Sequence, residues 1–434
     1  MIDIRALRED PDAVKAALAR RGVEASEVDA VLEDDAAWLA KVKRAEDLRA
    51  EVKALSREVG QARKGGDTAR ADELSARSRA LGDEQQAADA EADALEQKRR
   101  TGLLYLPNIP ADDAPDGTGE GDNLEVRRWW PGQDLGQPEP QRVEHQQVPH
   151  WEIGETLQIL DMERGARLAG SMFPLYRGAG ARLLRALTAF AIDRHAPAYE
   201  EIRPPTVVLT DTMTSTGHLP KFADDAYHIE RDDLWLIPTA EVPLTSMQRG
   251  EILEEAQLPL RFTAATACYR REAGSAGRDT RGLLRVHEFD KVELFAYTTP
   301  DGALEAQADI LARAESMLQD LELPYRVLDL CTGDLGGSSA RTFDLEAYSP
   351  GVDRWLEVSS VSWFRDYQAR RANVRFRPAG GGQPQLVHTV NGSALAWPRM
   401  WAALVENGRQ EDGTVMLPEA LAPYLGGELL IKAP

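Results

Sequence analysis

The chain has 434 residues and carries 51 Lys and Arg against 72 Asp and Glu, a formal net charge of −21. This length corresponds to two to four domains at about 100–200 residues each. The 43% hydrophobic and 28% charged residues exclude wholesale disorder and a collagen-like chain. Cys268 and Cys331 form no C-x-x-C pair and have no histidine cluster nearby, which excludes a disulfide framework and a zinc knuckle, so no zinc is expected.

The first residues of the chain show no basic leader followed by an apolar core, so we expect no secretory signal. The apolar stretch at 186–192 is far shorter than the ~20 residues that cross a bilayer. We therefore expect a cytoplasmic protein that does not enter a membrane.

Residues 1–106 predict an N-terminal domain built around a helical hairpin. Residues 1–25 predict one short amphipathic helix with Asp10-Pro11 near its start. A helical pattern at 29–59 is interrupted by Gly60 and by Gly65-Gly66, and a second follows at 67–99. The second carries a heptad seam at 71, 74, 78, 81, 85, 88, 92 and 95, and the first a matching apolar stripe at 38, 42, 45, 52, 55 and 59. These patterns predict an antiparallel coiled-coil arm at 29–99.

Charge is divided unevenly between the two arms of this hairpin. Residues 41–64 hold eight basic and four acidic side chains, whereas 67–96 hold three basic and nine acidic ones. An arm selected to meet phosphate would carry such a basic face, because phosphate binding depends on Lys and Arg. Ordinary solvated helices that carry many charges are the alternative.

Residues 107–150 are rich in Pro, Gly and acids and predict a linker together with the start of the second domain. From 151 to 434 the pattern is mixed, with β-rich stretches at 206–209, 234–237, 262–269, 291–297 and 325–330 and helical ones at 179–194, 300–321 and 393–407. There is no βαβ alternation, no G-x-G-x-x-G after a strand and no P-loop. We therefore predict an α+β fold, an antiparallel β-sheet flanked by helices, with the helical arm at its N-terminal side.

The stretch 268–293 runs from an apolar strand through a Gly- and Arg-rich loop into an alternating strand: CYRREAGSAGRDTRGLLRVHEFDKVE. Four arginines here are planar, permanently charged donors suited to phosphate: Arg270, Arg278, Arg281 and Arg285. We predict that Glu272 and Glu293 lie at equivalent depths on the two strands, where a carboxylate accepts from an amino group, and that Phe289 stacks on a flat base. A surface hairpin without function is the alternative for this pattern alone.

This stretch closely resembles motif 2 of the class II aminoacyl-tRNA synthetases, in the form found in bacterial-type seryl-tRNA synthetases. Other landmarks follow the family order: 199–205 (YEEIRPP) resembles motif 1, 238–241 (PTAE) the serine-binding element, 357–360 (EVSS) with 366–371 (DYQARR) the ATP and metal segment, and 389–399 (TVNGSALAWPR) motif 3. The predicted arm lies where the family carries its tRNA-binding arm. The resemblance covers essentially the whole chain, with motif 1 at about 179–205, motif 2 at about 262–293 and motif 3 at about 389–407.

The resemblance implies a ligase that activates L-serine with ATP and transfers it to the 3′ end of tRNA(Ser), and to tRNA(Sec) where the organism has one. It implies a homodimer, with a motif 1 proline at the interface, and Mg²⁺ with the ATP. The implied catalytic residues are Arg270, Glu357 and Arg399, and the implied metal ligands are Glu357 and Ser360. For serine they are Thr239, Ala240, Glu241, Arg270, Glu293, Asn391 and Ser393. For ATP they are Arg270, Arg271, Glu272, Val286, Phe289, Glu357, Val358, Ser359, Ser360 and Arg399. For tRNA we expect Lys41, Arg44, Arg49, Lys53, Arg57, Arg63, Lys64, Arg278 and Arg281.

Five positions depart from the family pattern: Ala394 replaces a usual Gly, Trp397-Pro398 precedes Arg399 where small residues are usual, and Val361 and Trp363 replace smaller or polar residues. Two other functions stay open at this point. One is an adenylating paralogue that loads an amino acid onto a carrier protein, which would not need the arm. The other is a non-catalytic tRNA-binding homologue, which would have lost the site residues. A duplicated, inhibitor-resistant synthetase would keep all of them.

Overall fold

The structure, a computed structural model, describes residues 1–136, 143–273 and 281–434. The chain divides into two compact units. One contains residues 2–19 and 23–106, and the other contains residue 1, residues 20–22 and residues 107–434. No helix in the described ranges is both long and apolar enough to cross a bilayer.

The smaller unit is entirely helical. Its helices are α1 (Ile4–Glu9), α2 (Pro11–Ala19), α3 (Ala25–Lys64) and α4 (Thr68–Tyr105). The prediction of a single helix at 1–25 was wrong, because Pro11 lacks the N–H that would continue α1 and instead begins α2. The break expected at Gly60 was also wrong: α3 runs through it, and the turn comes at Gly65 and Gly66, where Gly66 adopts a φ of +77°.

The predicted seam between the two long helices is confirmed. Ala45, Leu48 and Leu55 of α3 are buried, as are four residues of α4: Ala71, Leu74, Ala88 and Ala92. The other seam positions of α4 are half-buried. The 3-4 spacing therefore placed the apolar residues between the helices, and α3 with α4 forms the predicted arm.

The larger unit is built on an eight-stranded sheet with three small accessory sheets. Its strands are β1 (Leu124–Trp129), β2 (Glu200–Glu201), β3 (Val207–Leu209), β4 (His228–Ile229), β5 (Leu234–Leu236), β6 (Ile252–Glu254), β7 (Leu260–Tyr269), β8 (Glu288–Thr298), β9 (Tyr325–Asp329), β10 (Arg341–Ser349), β11 (Arg354–Trp363), β12 (Arg375–Arg377), β13 (Gln385–Leu386), β14 (His388–Ala396), β15 (Val415–Met416) and β16 (Leu430–Ile431). The main sheet has the order β1-β9-β10-β11-β14-β8-β7-β2, antiparallel except for the parallel pair β2–β7. The predicted antiparallel sheet with flanking helices is confirmed.

Nine helices in the described ranges of this unit complete the fold: α5 (His150–Thr156), α6 (Met162–Ala169), α7 (Ala179–His195), α8 (Thr210–Thr216), α9 (Glu241–Ser246), α10 (Ala303–Asp320), α11 (Tyr367–Ala372), α12 (Arg399–Asn407) and α13 (Ala422–Leu425). Helices α7, α10 and α12 pack on the main sheet and share one hydrophobic core with it. A helix at 393–407 was predicted, but residues up to Ala396 belong to β14 and the helix begins at Arg399. Within the 107–150 segment, β1 forms an edge of the main sheet, so this segment is part of the larger unit.

The hairpin of β7 and β8 positions the loop that carries the arginines. Its last pair joins Tyr269 to Glu288, and Glu293 lies further in, opposite Ala264. Glu272 comes three residues after the end of β7. The predicted equal depth of Glu272 and Glu293 was therefore wrong, and the two carboxylates belong to different parts of the site.

Candidate active site

A cavity of about 520 Å³ opens over strands β8, β11 and β14. Most of the residues predicted from sequence line it: Thr239, Glu241, Arg270, Glu272, Val286, Phe289, Glu357, Val358, Ser359, Ser360, Asn391, Ser393 and Arg399. The fold thus brings together segments that lie up to 160 positions apart in the chain, from 239 to 399.

Some predicted residues do not line the cavity. Ala240 is fully buried, and Glu293 lies beneath the cavity with no exposed surface. Arg271 faces another segment. Its backbone N–H donates to the backbone carbonyl of Asp225 (2.8 Å), and its side chain donates to the backbone carbonyl of Asp224 (3.1 Å). Arg281 is exposed and is not part of the lining, and Arg278 lies outside the described residues.

The floor of the cavity is a hydrogen-bond network around Glu241 and Glu293. The amide of Asn391 donates to both carboxylates, at 3.0 Å in each case. Thr239 donates its hydroxyl to Glu293 at 2.9 Å, and Gln368 donates to Glu241 at 2.6 Å. Because buried polar groups are costly unless paired, this network fixes the orientation of every member.

Gln368 is itself held in place. The Thr389 hydroxyl donates to its Oε1 at 2.6 Å, which directs the amide NH2 at Glu241. Burial raises the pKa of the Glu241 carboxyl to about 7, and the negative charge of Glu293 acts in the same direction. The hydrogen bond from Gln368 opposes that rise.

The same floor carries a buried cation. Lys291 forms an ion pair with Glu293, and both side chains are almost or fully buried. His218, also in the lining, meets the Thr216 hydroxyl through Nδ1 at 2.7 Å. Burial lowers the pKa of His218 to about 3, and three cations add to this: Arg270, Lys291 and Arg371. His218 is therefore a neutral side chain in a positively charged pocket.

The outer part of the cavity is rich in arginine. The Arg270 guanidinium lies 5.2 Å from the centre of the Phe289 ring. Arg285 pairs with Glu272, which adopts a left-handed φ of +52°. Arg399 donates to the backbone carbonyls of Leu284 (3.1 Å) and Glu357 (3.0 Å). This part of the cavity thus offers guanidinium groups next to an aromatic face, as a nucleotide requires.

Oxygen donors collect on β10 and β11. Asp344 and Glu346 of β10 pair in register with Ser360 and Glu357 of β11. Oδ1 of Asp344 is buried and has no hydrogen-bond partner in the described structure. Burial and the charge of Glu357 raise the pKa of the Asp344 carboxyl well above its usual range. Carboxylate and hydroxyl oxygens with one buried oxygen left unpaired fit a hard cation such as Mg²⁺.

Sequence reasoning missed several residues of this site. Lys291 and His218 line the cavity, and Gln368 donates a hydrogen bond to Glu241. Arg285 was named among the phosphate-binding arginines and does line the cavity. Lys291 lies in the same stretch, so its charge was a usable signal. Gln368 lies in the recognised 366–371 segment, but it is 127 positions from Glu241 and nothing in the sequence indicated their contact.

The departures from the family pattern are accommodated structurally. Ala394 lies at an irregularity in the β14–β8 register and has no positive φ, so the conformational freedom of glycine is not required there. Trp397 is almost fully buried in the cavity wall. Val361 packs closely against Gly392, and the Trp363 indole donates to His388 at 3.3 Å.

The seven arm residues predicted to bind tRNA fall into two groups. Three pair with acids of α4: Lys41 with Glu91, Arg44 with Glu84 at 3.4 Å, and Arg49 with Asp89 at 3.2 Å. Four others nearer the turn make no ion pair with any residue that the structure describes: Lys53, Arg57, Arg63 and Lys64. Among these seven residues, the second group, the tip cations, carries charge that no ion pair in the described structure neutralises.

Comparison with known families first defines the class. Residues 225–408 match the family described as "tRNA synthetase class II core domain (G, H, P, S and T)", in agreement with the antiparallel sheet and the cavity upon it. Residues 1–110 match the "Seryl-tRNA synthetase N-terminal domain", which contains the arm.

Whole-chain relatives then identify the family. The chain is 48% identical to a serine–tRNA ligase of Gemmatimonas aurantiaca, over 99% of this chain and 100% of that protein, and 45% identical to one of a Roseiflexus species over the full length of both. The seryl-tRNA synthetase of Pyrococcus horikoshii, solved with ATP, superposes with a TM-score of 0.89 at 37% identity over the full length of both chains. The chain belongs to the seryl-tRNA synthetase family.

Proposed function

We infer that this protein activates L-serine with ATP and then transfers the serine to tRNA. In the first step a serine carboxylate oxygen attacks the α-phosphorus of ATP, a P–O bond forms, and pyrophosphate leaves. In the second, the hydroxyl oxygen of the terminal adenosine attacks the carbonyl carbon of seryl-adenylate and AMP leaves. The observation that carries this function is the cavity, which joins a carboxylate-lined polar floor to an arginine-rich outer part.

We propose that ATP binds in the outer part. Arg270 would contact both the serine carboxylate and the α-phosphate, where negative charge increases in the transition state. Phe289 would stack on one face of adenine and Arg399 would close the other near the γ-phosphate. Glu272 would accept from the adenine amino group, with Arg285 holding its carboxylate.

Backbone and polar groups complete the proposed ATP site. Val286, Val358, Ser359 and Ser360 line the same part of the cavity. The Ser359 hydroxyl donates to the carbonyl of Ser393 at 2.6 Å, which ties the ATP segment to the serine segment. Arg271, whose side chain faces Asp224, contributes to ATP only through the backbone or after a side-chain rearrangement.

We propose that serine binds on the floor. Glu241 would take its ammonium group, and Thr239, Asn391 and Ser393 would surround its hydroxyl. Glu293 would accept from that hydroxyl in place of one of its present donors, Thr239 or Lys291. Ala240, fully buried, would contribute through its backbone. Alanine would leave these buried polar groups unpaired and should be rejected strongly, since a site built to bind a hydroxyl discriminates against analogues that lack it.

We propose that Glu357 and Ser360 hold Mg²⁺, with Asp344 next to them as a further oxygen donor. When bound with ATP, this ion would neutralise phosphate charge and orient the nucleotide. Glu357 also accepts from Arg399 at 3.4 Å, so the side chain that would bind the metal and the arginine that would bind the nucleotide are in contact.

We propose that the arm binds tRNA by shape and phosphate contacts, chiefly through the tip cations. The predicted contacts at Lys41, Arg44 and Arg49 are weaker candidates because their charges are already paired. Arg278 and Arg281, in the loop between β7 and β8, are proposed to meet the acceptor end. The arm argues against the carrier-protein paralogue, which has no need of it, and the intact cavity argues against a non-catalytic homologue.

The oligomeric state, the cellular location and a second tRNA substrate also belong to this proposal. We expect a homodimer formed at the motif 1 side of the sheet. In the described structure β2 is the edge strand on that side, and β7 is its single neighbour in the sheet. We expect a cytoplasmic location, and charging of tRNA(Sec) in an organism that has it. Size-exclusion chromatography with light scattering tests the dimer directly.

Serine-dependent ATP–pyrophosphate exchange tests the first step, with alanine and threonine as control substrates. Charging of total tRNA by the same preparation tests the second. Replacing Lys53, Arg57, Arg63 and Lys64 together by Ala should leave exchange unchanged and reduce charging, whereas the matched change of Lys41, Arg44 and Arg49 should reduce it less. Exchange without charging in the unmodified protein would favour the carrier-protein ligase, and no exchange at all would favour the non-catalytic homologue.

A further inference from the structure

His150, the first residue of α5, is fully buried, and both of its ring nitrogens are hydrogen-bonded. The backbone N–H of Leu283 donates to Nε2 at 2.9 Å, and Nδ1 lies 2.7 Å from Oε1 of Glu406. Because a backbone amide can only donate, Nε2 is the unprotonated nitrogen. His150 is therefore a neutral imidazole of one defined tautomer, which accepts from Leu283 and donates to Glu406.

Glu406 holds this imidazole in place. It lies in the last turn of α12, fully buried, where both burial and the helix dipole disfavour a carboxylate. Three further donors compensate: the backbone N–H of His150 (2.9 Å), that of Gly351 (3.1 Å) and the Ser349 hydroxyl. A carboxylate with four donors in a tightly packed position is a rigid support for the ring.

The backbone next to Leu283 lies directly against the ring. Gly282 has a φ of +61°, and a Cβ there would be 2.4 Å from Nε2 of His150 and 2.6 Å from the Trp151 ring. This approach leaves room only for glycine. The segment that leaves the loop between β7 and β8 is thus held against α5 at one defined point.

The residues that follow form a wall of the cavity. Leu283, Leu284, Arg285 and Val286 all line it. The carbonyl of Leu284 accepts a hydrogen bond from Arg399, the first residue of α12. The amide of Leu283 donates to the His150 ring, and that ring is hydrogen-bonded to Glu406, near the end of the same helix. Residues 283–286 are therefore tied to both ends of α12.

We propose that His150 and Glu406 form a positioning pair that fixes the 283–286 wall in the geometry needed to bind ATP. This rests on the proposed placement of ATP in the outer cavity. The pair touches neither substrate and acts through the backbone of Leu283. Losing it should weaken ATP binding while leaving serine binding, which depends on Glu241 and Asn391, unchanged.

Two substitutions separate the two hydrogen bonds of the ring. In His150→Asn the amide NH2 takes the place of Nδ1 and still donates to Glu406, but nothing accepts from Leu283. In His150→Gln the amide oxygen reaches the place of Nε2 and accepts from Leu283. We expect H150N to raise the KM for ATP in serine-dependent exchange about tenfold, the effect of one lost buried hydrogen bond, with the KM for serine changed less than twofold. H150Q should recover most of that loss.

His145→Asn is the matched control, because no ring hydrogen bond of His145 occurs in the described structure. It should behave as the unmodified protein. Glu406→Gln provides a second route if H150N folds poorly. It too should raise the KM for ATP by a larger factor than the KM for serine. Melting curves of all variants report on folding separately.

Several results would overturn the proposal: a fall in kcat with an unchanged KM for ATP, an equal rise of KM for both substrates, or the same KM for ATP in H150N and H150Q. Direct binding of labelled ATP, measured by equilibrium dialysis on unmodified protein and H150N, keeps the test independent of the reaction. If unmodified protein shows no exchange with serine, the proposed function fails; a weaker ATP affinity of H150N in dialysis would still support the positioning pair, and equal affinities would refute it.

Discussion

The Gln368 amide should set the pH at which the protein binds serine. The Glu241 carboxyl must be ionised to take the serine ammonium, and its pKa is about 7 because it is buried near Glu293. The value of kcat/KM for serine should therefore rise with pH through about 7 and then level off. Gln368 lowers this pKa, since its hydrogen bond of 2.6 Å favours the ionised form.

Replacing Gln368 by Leu keeps the side-chain volume and removes the hydrogen bond. A hydrogen bond to a charged group contributes about 1.5–3 kcal/mol, and one pKa unit corresponds to about 1.4 kcal/mol. Asn391 still donates to the second oxygen of Glu241 at 3.0 Å. We therefore expect the rising limb of the profile to move up by about one pH unit, which lies at the lower end of that range.

The assay is serine-dependent pyrophosphate exchange at saturating ATP, from pH 5.5 to 9, for both proteins. An inactive fraction lowers every point equally and leaves the midpoint where it is. Ionisation of ATP itself affects both proteins alike, and kcat/KM for ATP at saturating serine should have the same midpoint in both. A limb that stays in place in Q368L, or moves to lower pH, would refute the assignment of Glu241 as the ammonium ligand.

Three further predictions follow from individual contacts. Arg399→Ala should reduce kcat/KM for ATP in exchange by about 100-fold or more, as expected for a charged donor to a phosphate; a change below threefold would remove Arg399 from the ATP site. Gly282→Ala should lower the free energy of unfolding by about 3 kcal/mol in urea titrations, because a φ of +61° costs a non-glycine residue about 1–2 kcal/mol and the new Cβ overlaps the His150 imidazole. Gly22→Ala is the control: its φ is +73° but a Cβ there meets open space, so it should cost only the 1–2 kcal/mol of the backbone conformation. Lys291→Met should lower the free energy of unfolding by about 3–5 kcal/mol at pH 8, because it removes the counter-charge of the buried Glu293, which keeps only its hydrogen bonds from Thr239 and Asn391; a loss below 1 kcal/mol would contradict that pairing.

The arm could be predicted in detail because its pattern is local and repeats. Each seam position three or four residues from the last faces the partner helix, so Leu74, Ala88 and Ala92 were identifiable without any long-range information. The errors near its ends also had local causes. Gly60 was expected to break α3, but a single glycine costs a long helix only about 1 kcal/mol.

The centre of the sheet was less predictable. Strands β10, β11 and β14 were not recognised, because both of their faces are largely covered and their sequences show no clean alternation. Residues 393–396 contain alanine and favour a helix locally, yet they pair with β8. Here the long-range partner decides the structure over local propensity.

In the site, too, residues with a local sequence pattern could be predicted, and residues that act through long-range contacts could not. Its arginines and carboxylates were found from motifs, since those residues contact the substrates directly and their types are recognisable. The supporting contacts of Gln368 with Glu241 and of Glu406 with His150 span 127 and 256 positions of sequence, and no sequence pattern indicates them. Only the fold shows what they hold.

The seam of the arm has a consequence for heat inactivation. Alanine occupies four of its buried positions, 45, 71, 88 and 92, so the arm buries little apolar area for its length, whereas the sheet unit encloses a large core of aromatic and branched side chains. Regions with few buried apolar contacts open first. The hairpin should therefore fray at temperatures that leave the sheet unit folded. Gently heated protein should lose the ability to charge tRNA while it still makes seryl-adenylate, so that selection of tRNA, and not activation of serine, sets the upper temperature limit of the whole reaction.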